Sequence, residues 1–301
     1  MGACYNQKKG VKQMWQHEIN IKGPYDFERV LDRMRLDPLV VIDQANLRLS
    51  LPVEIEHKQA VHITFTGSVD SPSFKVEGKH DQQAAIQVVK RVLQLERGLH
   101  EIHAHFKDSS LKAIFEEHAG TPLVLEPTPY SCLLKSVIHQ QLNMSFAATL
   151  TERFVKTFGE QVDGVWFYPD PEKVADIPLE KLREMQFSQR KAEYLIGIGE
   201  KITSGELDLN ALSQEDDGEV IKQLVKIRGI GPWTAQSVLL FGFGRMDIFL
   251  PADIGIQNAL KKHFQLDDKP ALDDMEVWLK DWRPCSSYAS LYLWRSIETG
   301  K

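Results

Sequence analysis

The chain has 301 residues, 43% of them hydrophobic, and a formal net charge of −6, which is enough apolar material for a core spread over more than one subdomain. No run of about 18 apolar residues occurs and the N-terminus lacks an apolar signal core, so a cytoplasmic protein with no membrane partner is expected. Three scattered cysteines, Cys4, Cys132 and Cys285, fit a reducing compartment and fall short of the four thiolates an iron–sulfur cluster needs.

Residues 1 to about 10 form a polar start. The next stretch has strand character: His17-Glu-Ile-Asn-Ile, Leu39-Val-Val-Ile, the alternating Leu47-Arg-Leu-Ser-Leu, Val61-His-Ile-Thr-Phe and Ser73-Phe-Lys-Val. Two helices accompany them. Phe27, Val30, Leu31 and Met34 recur at helical spacing within residues 25–36, as do Ala85, Val88, Val89, Val92 and Leu93 within 81–95. Residues 1–105 therefore predict a small antiparallel sheet domain with flanking helices, which makes the chain α+β overall.

Residues 106–301 turn almost entirely helical. A short helix over 111–118 leads to a proline-punctuated linker, Gly120-Thr-Pro to Pro127-Thr-Pro-Tyr. Tyr130 opens a helix carrying Leu133, Leu134, Val137 and Ile138. The stretch Gln140-Gln141-Leu142-Asn143-Met144-Ser145 then interrupts it before a second helix over 146–158. Short capped helices are predicted at 167–175, 179–185 and 188–195, followed by an acidic connection over 207–219.

The most informative stretch begins at Leu224. Gly229-Ile230-Gly231-Pro232 breaks one helical pattern (Leu224, Val225, Ile227) and starts another (Trp233, Ala235, Val238, Leu239), predicting a tight hairpin. So short a turn calls for a positive φ and a close approach, and Pro232 suits a first helical turn. Outward N–H groups there suit a phosphate oxygen, and carbonyls turned the other way suit a cation. Twenty residues past Trp233, Asp253 precedes a further helical pattern (Ile254, Ile256, Ala259, Leu260). It is an N-cap candidate, and an oriented carboxylate there is also suited to face a developing positive charge.

The pattern Leu224-x-x-Ile227-x-Gly229-Ile230-Gly231, with Asp253 downstream, resembles the helix-hairpin-helix superfamily of DNA glycosylases. Gly231-x-Trp233-Thr234-Ala235, Phe249-Leu250-Pro251-x-Asp253 and Trp282-x-Pro-x-x-Ser-Tyr-Ala-x-Leu-x-x-Trp294 are similar to the DNA-3-methyladenine glycosylase II branch. The resemblance implies an all-α glycosylase region of two helical subdomains after the sheet domain. It makes Asp253 the catalytic residue and Trp233 and Trp294 the base pocket. Gln141, Leu142, Gly229, Gly231 and Thr234 become DNA contacts, with Leu142 wedging into the gap left by an extruded nucleotide. Strand-cutting relatives carry a Schiff-base lysine at the place of Trp233. An indole cannot form an imine, so no lyase activity is expected.

The implied partner is double-stranded DNA containing damaged bases, bound by a monomer. The resemblance calls for no cofactor, apart from a structural Na+ or K+ held by the backbone carbonyls of Val225, Ile227 and Ile230. Several alternatives stay open on the residues themselves. Leu142 is also compatible with a buried loop leucine, Gln141 with a bond to its own loop, and Lys191 of Ser188-x-x-Lys191-Ala192 with either a phosphate contact or a solvated helix charge. Ser237 stands where the family has a pocket tyrosine, which predicts a wider or differently selective pocket. The net negative charge counts against nucleic-acid binding unless basic groups gather locally. The competing functional classes are a noncatalytic hairpin DNA-binding protein and a helical interaction protein in which Asp253 only caps.

Overall fold

The computed structural model describes residues 14–298; the polar start and Cys4 lie outside the described residues. Five strands, β1 (Trp15–Asn20), β2 (Val41–Asp43), β3 (Arg48–Glu54), β4 (Lys58–Phe65) and β5 (Ser73–Gly78), form an antiparallel sheet in the order β1-β5-β4-β3-β2. The alternation at 47–51 has the expected consequence, because side chains of period two line one face. Leu49 pairs with Ile63 and Ile63 with Val76, placing a row of buried aliphatic residues across three strands. Helices Phe27–Met34 and Gln82–Val92 bring Phe27, Val30, Leu31, Ala85, Val89 and Val92 to the same core. Phe27 meets the Phe74 ring edge-on at 5.5 Å.

The other side of the sheet holds a departure from the helical expectation. Strands β6 (Glu160–Val162) and β7 (Val165–Phe167) form a hairpin inside the second region. Val165 and Phe167 pack with Ala60 of β4 in a small core of their own. Lys58 reaches Asp170 at 3.0 Å and Glu160 at 3.2 Å. Asp163 and Gly164 both take positive φ (51° and 87°), the conformation a two-residue hairpin needs. Asp-Gly between valines is the local signal for it, masked by the helical period on either side.

A helix that the periodicity does not reveal, Leu99–Phe106, carries the chain across residue 105. Thr128 caps the helix Pro129–His139 in a reciprocal box with Ser131, and Asn143 caps Met144–Phe158 through the Phe146 N–H at 2.9 Å. In the acidic connection the aspartates act as caps: Asp208 starts Leu209–Leu212 and Asp216 starts Asp217–Leu224. Buried side chains run without a break from the sheet into the helices. The cleft described next lies between the Gln140 loop, the glycine hairpin and the chain around Asp253, with Asp37 and Pro52 of the sheet domain on its wall.

Candidate active site

Asp253 caps the helix Ile254–His263, its Oδ1 accepting the Ile256 N–H at 3.0 Å. Capping leaves the carboxylate able to take more donors. The Trp294 indole N–H donates to Oδ1 at 2.9 Å and the Trp233 indole N–H to Oδ2 at 3.2 Å. A carboxylate offers about four lone-pair positions, so these three donors leave Oδ2 able to accept once more. Asp253, Trp233 and Trp294 are half-buried and line one cleft of about 2250 Å³.

Three elements converge to make this group. The hairpin's second helix, Pro232–Ser237, brings Trp233, and the final helix, Ser286–Ile297, brings Trp294 against the helix that Asp253 caps. Gly255 allows that approach, since a Cβ there would stand 3.0 Å from both Asp253 Oδ1 and Trp294 Cδ1. After Ser237 the helix widens into a π turn, Val238–Gly242. Such turns often reshape a site, and Phe241 on this one lines the cleft and stacks on Trp294 at 5.8 Å. Neither Gly255 nor Phe241 is singled out by the sequence motifs. Ser237 is buried, donates to the Trp233 carbonyl at 2.8 Å and lies outside the cleft lining.

At the hairpin, the helix Asp217–Leu224 stops before Val225, and the turn passes through Gly229 at φ +94°. A Cβ at Gly229 would also collide with the Tyr194 ring, so both reasons for glycine apply there. Gly231 differs from the expectation, adopting an ordinary extended φ of −95° with open space where a Cβ would point. Thr234 is buried on the cleft lining, and its hydroxyl accepts from Gln140 Nε2 at 2.8 Å, which braces the hairpin. Gln140 Nε2 also donates to the Gly229 carbonyl at 2.8 Å. Gln141 is exposed at φ +55°, while Leu142 is half-buried against the core, between its two readings. Lys191 fits neither reading given to it. Its ammonium donates to the carbonyls of Val137, Ile138 and Gln140 at 3.0, 2.6 and 2.7 Å, capping the helix before the loop.

A profile described as "HhH-GPD superfamily base excision DNA repair protein" matches residues 134–284. The chain belongs to the HhH-GPD superfamily. It is 52% identical over 287 residues to the "Putative DNA-3-methyladenine glycosylase YfjP" of Bacillus subtilis (strain 168), covering 95% of this chain and 100% of that protein. A second protein of the same organism, named DNA-3-methyladenine glycosylase, is 32% identical over 194 residues, 63% of this chain and 64% of its own length. Among solved structures, a 3-methyladenine DNA glycosylase from Archaeoglobus fulgidus superposes with a TM-score of 0.83 at 20% identity, over 94% of this chain and 100% of that one. That likeness establishes a shared fold, including the antiparallel sheet ahead of the helical region.

Within the HhH-GPD fold, the cleft's charges are mixed. Lys135 sits between Asp37 and Glu126, 2.7 Å from each. Burial alone would lower its pKa, but the two carboxylates outweigh that and hold the ammonium charged. Burial, reinforced by Lys135, pushes His139 down to about 4, and burial pushes Lys191 down to about 8. Exposed cations stand at the hairpin tip, Lys226 and Arg228, and at Arg190 on the cleft wall. The cluster of metal-ligating side chains found among the described residues, Glu56, His57 and Asp81, lies outside the cleft. At the hairpin, the Ile227 carbonyl accepts the Ile230 N–H at 3.0 Å.

Proposed function

We propose that this HhH-GPD protein is a monomeric, monofunctional DNA glycosylase that everts and excises alkylated purines of the 3-methyladenine type from duplex DNA, in base excision repair. The observation that carries the reading is the Asp253 carboxylate bridged by two indole N–H groups on the wall of a cleft of about 2250 Å³. The names of the relatives support the substrate class.

An N-alkylated purine carries positive charge, so the bond from sugar C1′ to the base breaks with its electron pair leaving to the base and little acid assistance. The cationic sugar is then the unstable partner. Asp253 faces it with a carboxylate fixed by Ile256, Trp294 and Trp233, so that little reorganisation accompanies the reaction. The remaining acceptor position on Oδ2 orients a water, whose oxygen bonds to C1′ as its proton passes to the carboxylate. The aromatic faces of Trp233, Trp294 and Phe241 favour a cationic base through contacts of about 0.5–2 kcal/mol, and damaged bases cost less to extrude.

Absence of lyase chemistry is supported by the state of the cleft's lysines. Lys135 is held by two carboxylates and Lys191 by three carbonyls, which leaves neither free to attack C1′. Lys226 lies outside the cleft lining. The hairpin around Gly229 and Gly231, with Gln141 and Leu142 opposite, is assigned to grip the strand. A Na+ or K+ on the carbonyls of Val225, Ile227 and Ile230 would supply a positive point for a phosphate oxygen. The test is base release from duplex oligonucleotides bearing alkylated, deaminated or oxidised bases. Release of alkylated purines supports the reading, whereas binding to DNA without formation of abasic sites would make the protein a noncatalytic binder.

A further inference from the structure

Helix Gln189–Thr203 presents two side chains, one turn apart, to two separate loops. Lys191 takes the orphan carbonyls of Val137 and Ile138, together with that of Gln140, at the end of Pro129–His139. An ammonium has three donors, and all three are used on backbone oxygens. Three residues along the same helix, the Tyr194 ring fills the space beside Gly229 that a Cβ would otherwise occupy. The Arg228 guanidinium lies 5.8 Å from the centre of that ring and pairs with Glu193 at 2.7 Å.

The two loops are also tied directly. Gln140, whose carbonyl Lys191 holds, sends its side-chain N–H groups to the Gly229 carbonyl and the Thr234 hydroxyl at 2.8 Å each. Lys191, Gln140, Gly229 and Tyr194 therefore close a ring of contacts: helix to loop, loop to hairpin, hairpin to helix. A local cap would need only the first of these. The closed ring fixes where residues 140–143 stand relative to residues 228–231, the two segments assigned to opposite sides of the DNA strand.

We propose that Lys191 and Tyr194 are positioning residues that set the register between the Gln140 loop and the glycine hairpin, so that both meet a DNA backbone as one preorganised surface. The DNA part of this proposal rests on the reading given under Proposed function. The mechanical part stands on the ring of contacts alone. Preorganisation matters because ordering two independent loops on binding would cost affinity.

The test uses the full chain and its Lys191→Met, Lys191→Arg and Tyr194→Ala variants. Backbone amide exchange is followed by mass spectrometry, and affinity is measured for a duplex carrying a tetrahydrofuran abasic analogue. Lys191→Met is expected to raise exchange in both 140–143 and 228–231 and to weaken affinity about tenfold. Lys191→Arg, which keeps cationic donors, should recover most of both effects. Tyr194→Ala should loosen the same two segments, giving a second route to the result if Lys191→Met folds poorly. Exchange that rises only beside the substituted residue, with affinity unchanged, would reduce Lys191 to a local cap and overturn the proposal. Failure of the wild-type chain to bind the duplex would instead strike the DNA reading, while the exchange result would still decide the mechanical coupling.

Discussion

The Trp294 indole N–H donates to Asp253 Oδ1 at 2.9 Å although 41 residues separate them in the chain, and a Cβ at position 255 would crowd both partners at 3.0 Å. A pocket wall and a charged group are thus one hydrogen-bonded unit. Replacing Trp294 with Phe keeps the aromatic face and removes the donor. A hydrogen bond to a charged group is worth about 1.5–3 kcal/mol, so single-turnover base release should fall roughly 10- to 100-fold. Affinity for product-like abasic DNA should hardly change. Equal loss in both measurements would mean the ring serves binding alone.

Gly255→Ala separates stability from activity. Alanine is favoured over glycine in helices by about 1 kcal/mol, yet its Cβ would crowd Asp253 Oδ1 and Trp294 at 3.0 Å. The melting temperature should stay level or rise slightly while base release falls about tenfold. An alanine variant with full activity would show that the indole-to-carboxylate distance is not critical.

The pH dependence of stability has a definite sign. Burial, with Lys135 adding to it, keeps His139 neutral down to about pH 4, whereas an unfolded histidine titrates near about 6.5. Between those values the unfolded chain takes up a proton that the folded chain refuses, so stability is full above about 6.5 and is lost as pH falls toward 4. His62, His103 and His118 are lowered in the same direction, chiefly by burial. Melting temperatures should drop by several degrees across this window, and less steeply in His139→Gln. An unchanged slope in that variant would assign the effect to the other three.

Among the described residues the cleft's two lysines, Lys135 and Lys191, are both engaged, and this has its own readout. Incubation with alkylated duplex DNA and borohydride should yield no covalent complex, and strand breaks should appear only after alkali. A trapped adduct would identify an attacking amine, with Lys191 the first to test, since burial lowers its pKa to about 8.

Much of this arrangement is legible in the chain itself, for identifiable reasons. The hairpin is written in Gly229-Ile230-Gly231-Pro232, because a break in helical period flanked by glycine and proline has few structural meanings. The strands show through Leu47-Arg-Leu-Ser-Leu and its neighbours because one sheet face is buried. Asp253 as a cap follows from local pattern alone, but its bonds to Trp233 and Trp294 depend on three elements meeting in space. The same limit applies to Lys191. Helical spacing assigns it to solvent or a phosphate, and only the orphan carbonyls of a distant helix reveal its partners. Likewise, the place of Ser237 one turn from Trp233 does not reveal that its hydroxyl donates to the Trp233 carbonyl.

The central claim is that Asp253 drives release of the base. The most direct measurement is single-turnover release of 3-methyladenine from methylated duplex DNA by the wild-type chain and by Asp253→Asn, alongside affinity for the abasic analogue. Asparagine keeps the capping oxygen and removes the charge, so the account predicts a folded variant that binds the analogue normally and releases base at least about 100-fold more slowly. Wild-type rates in Asp253→Asn would contradict it.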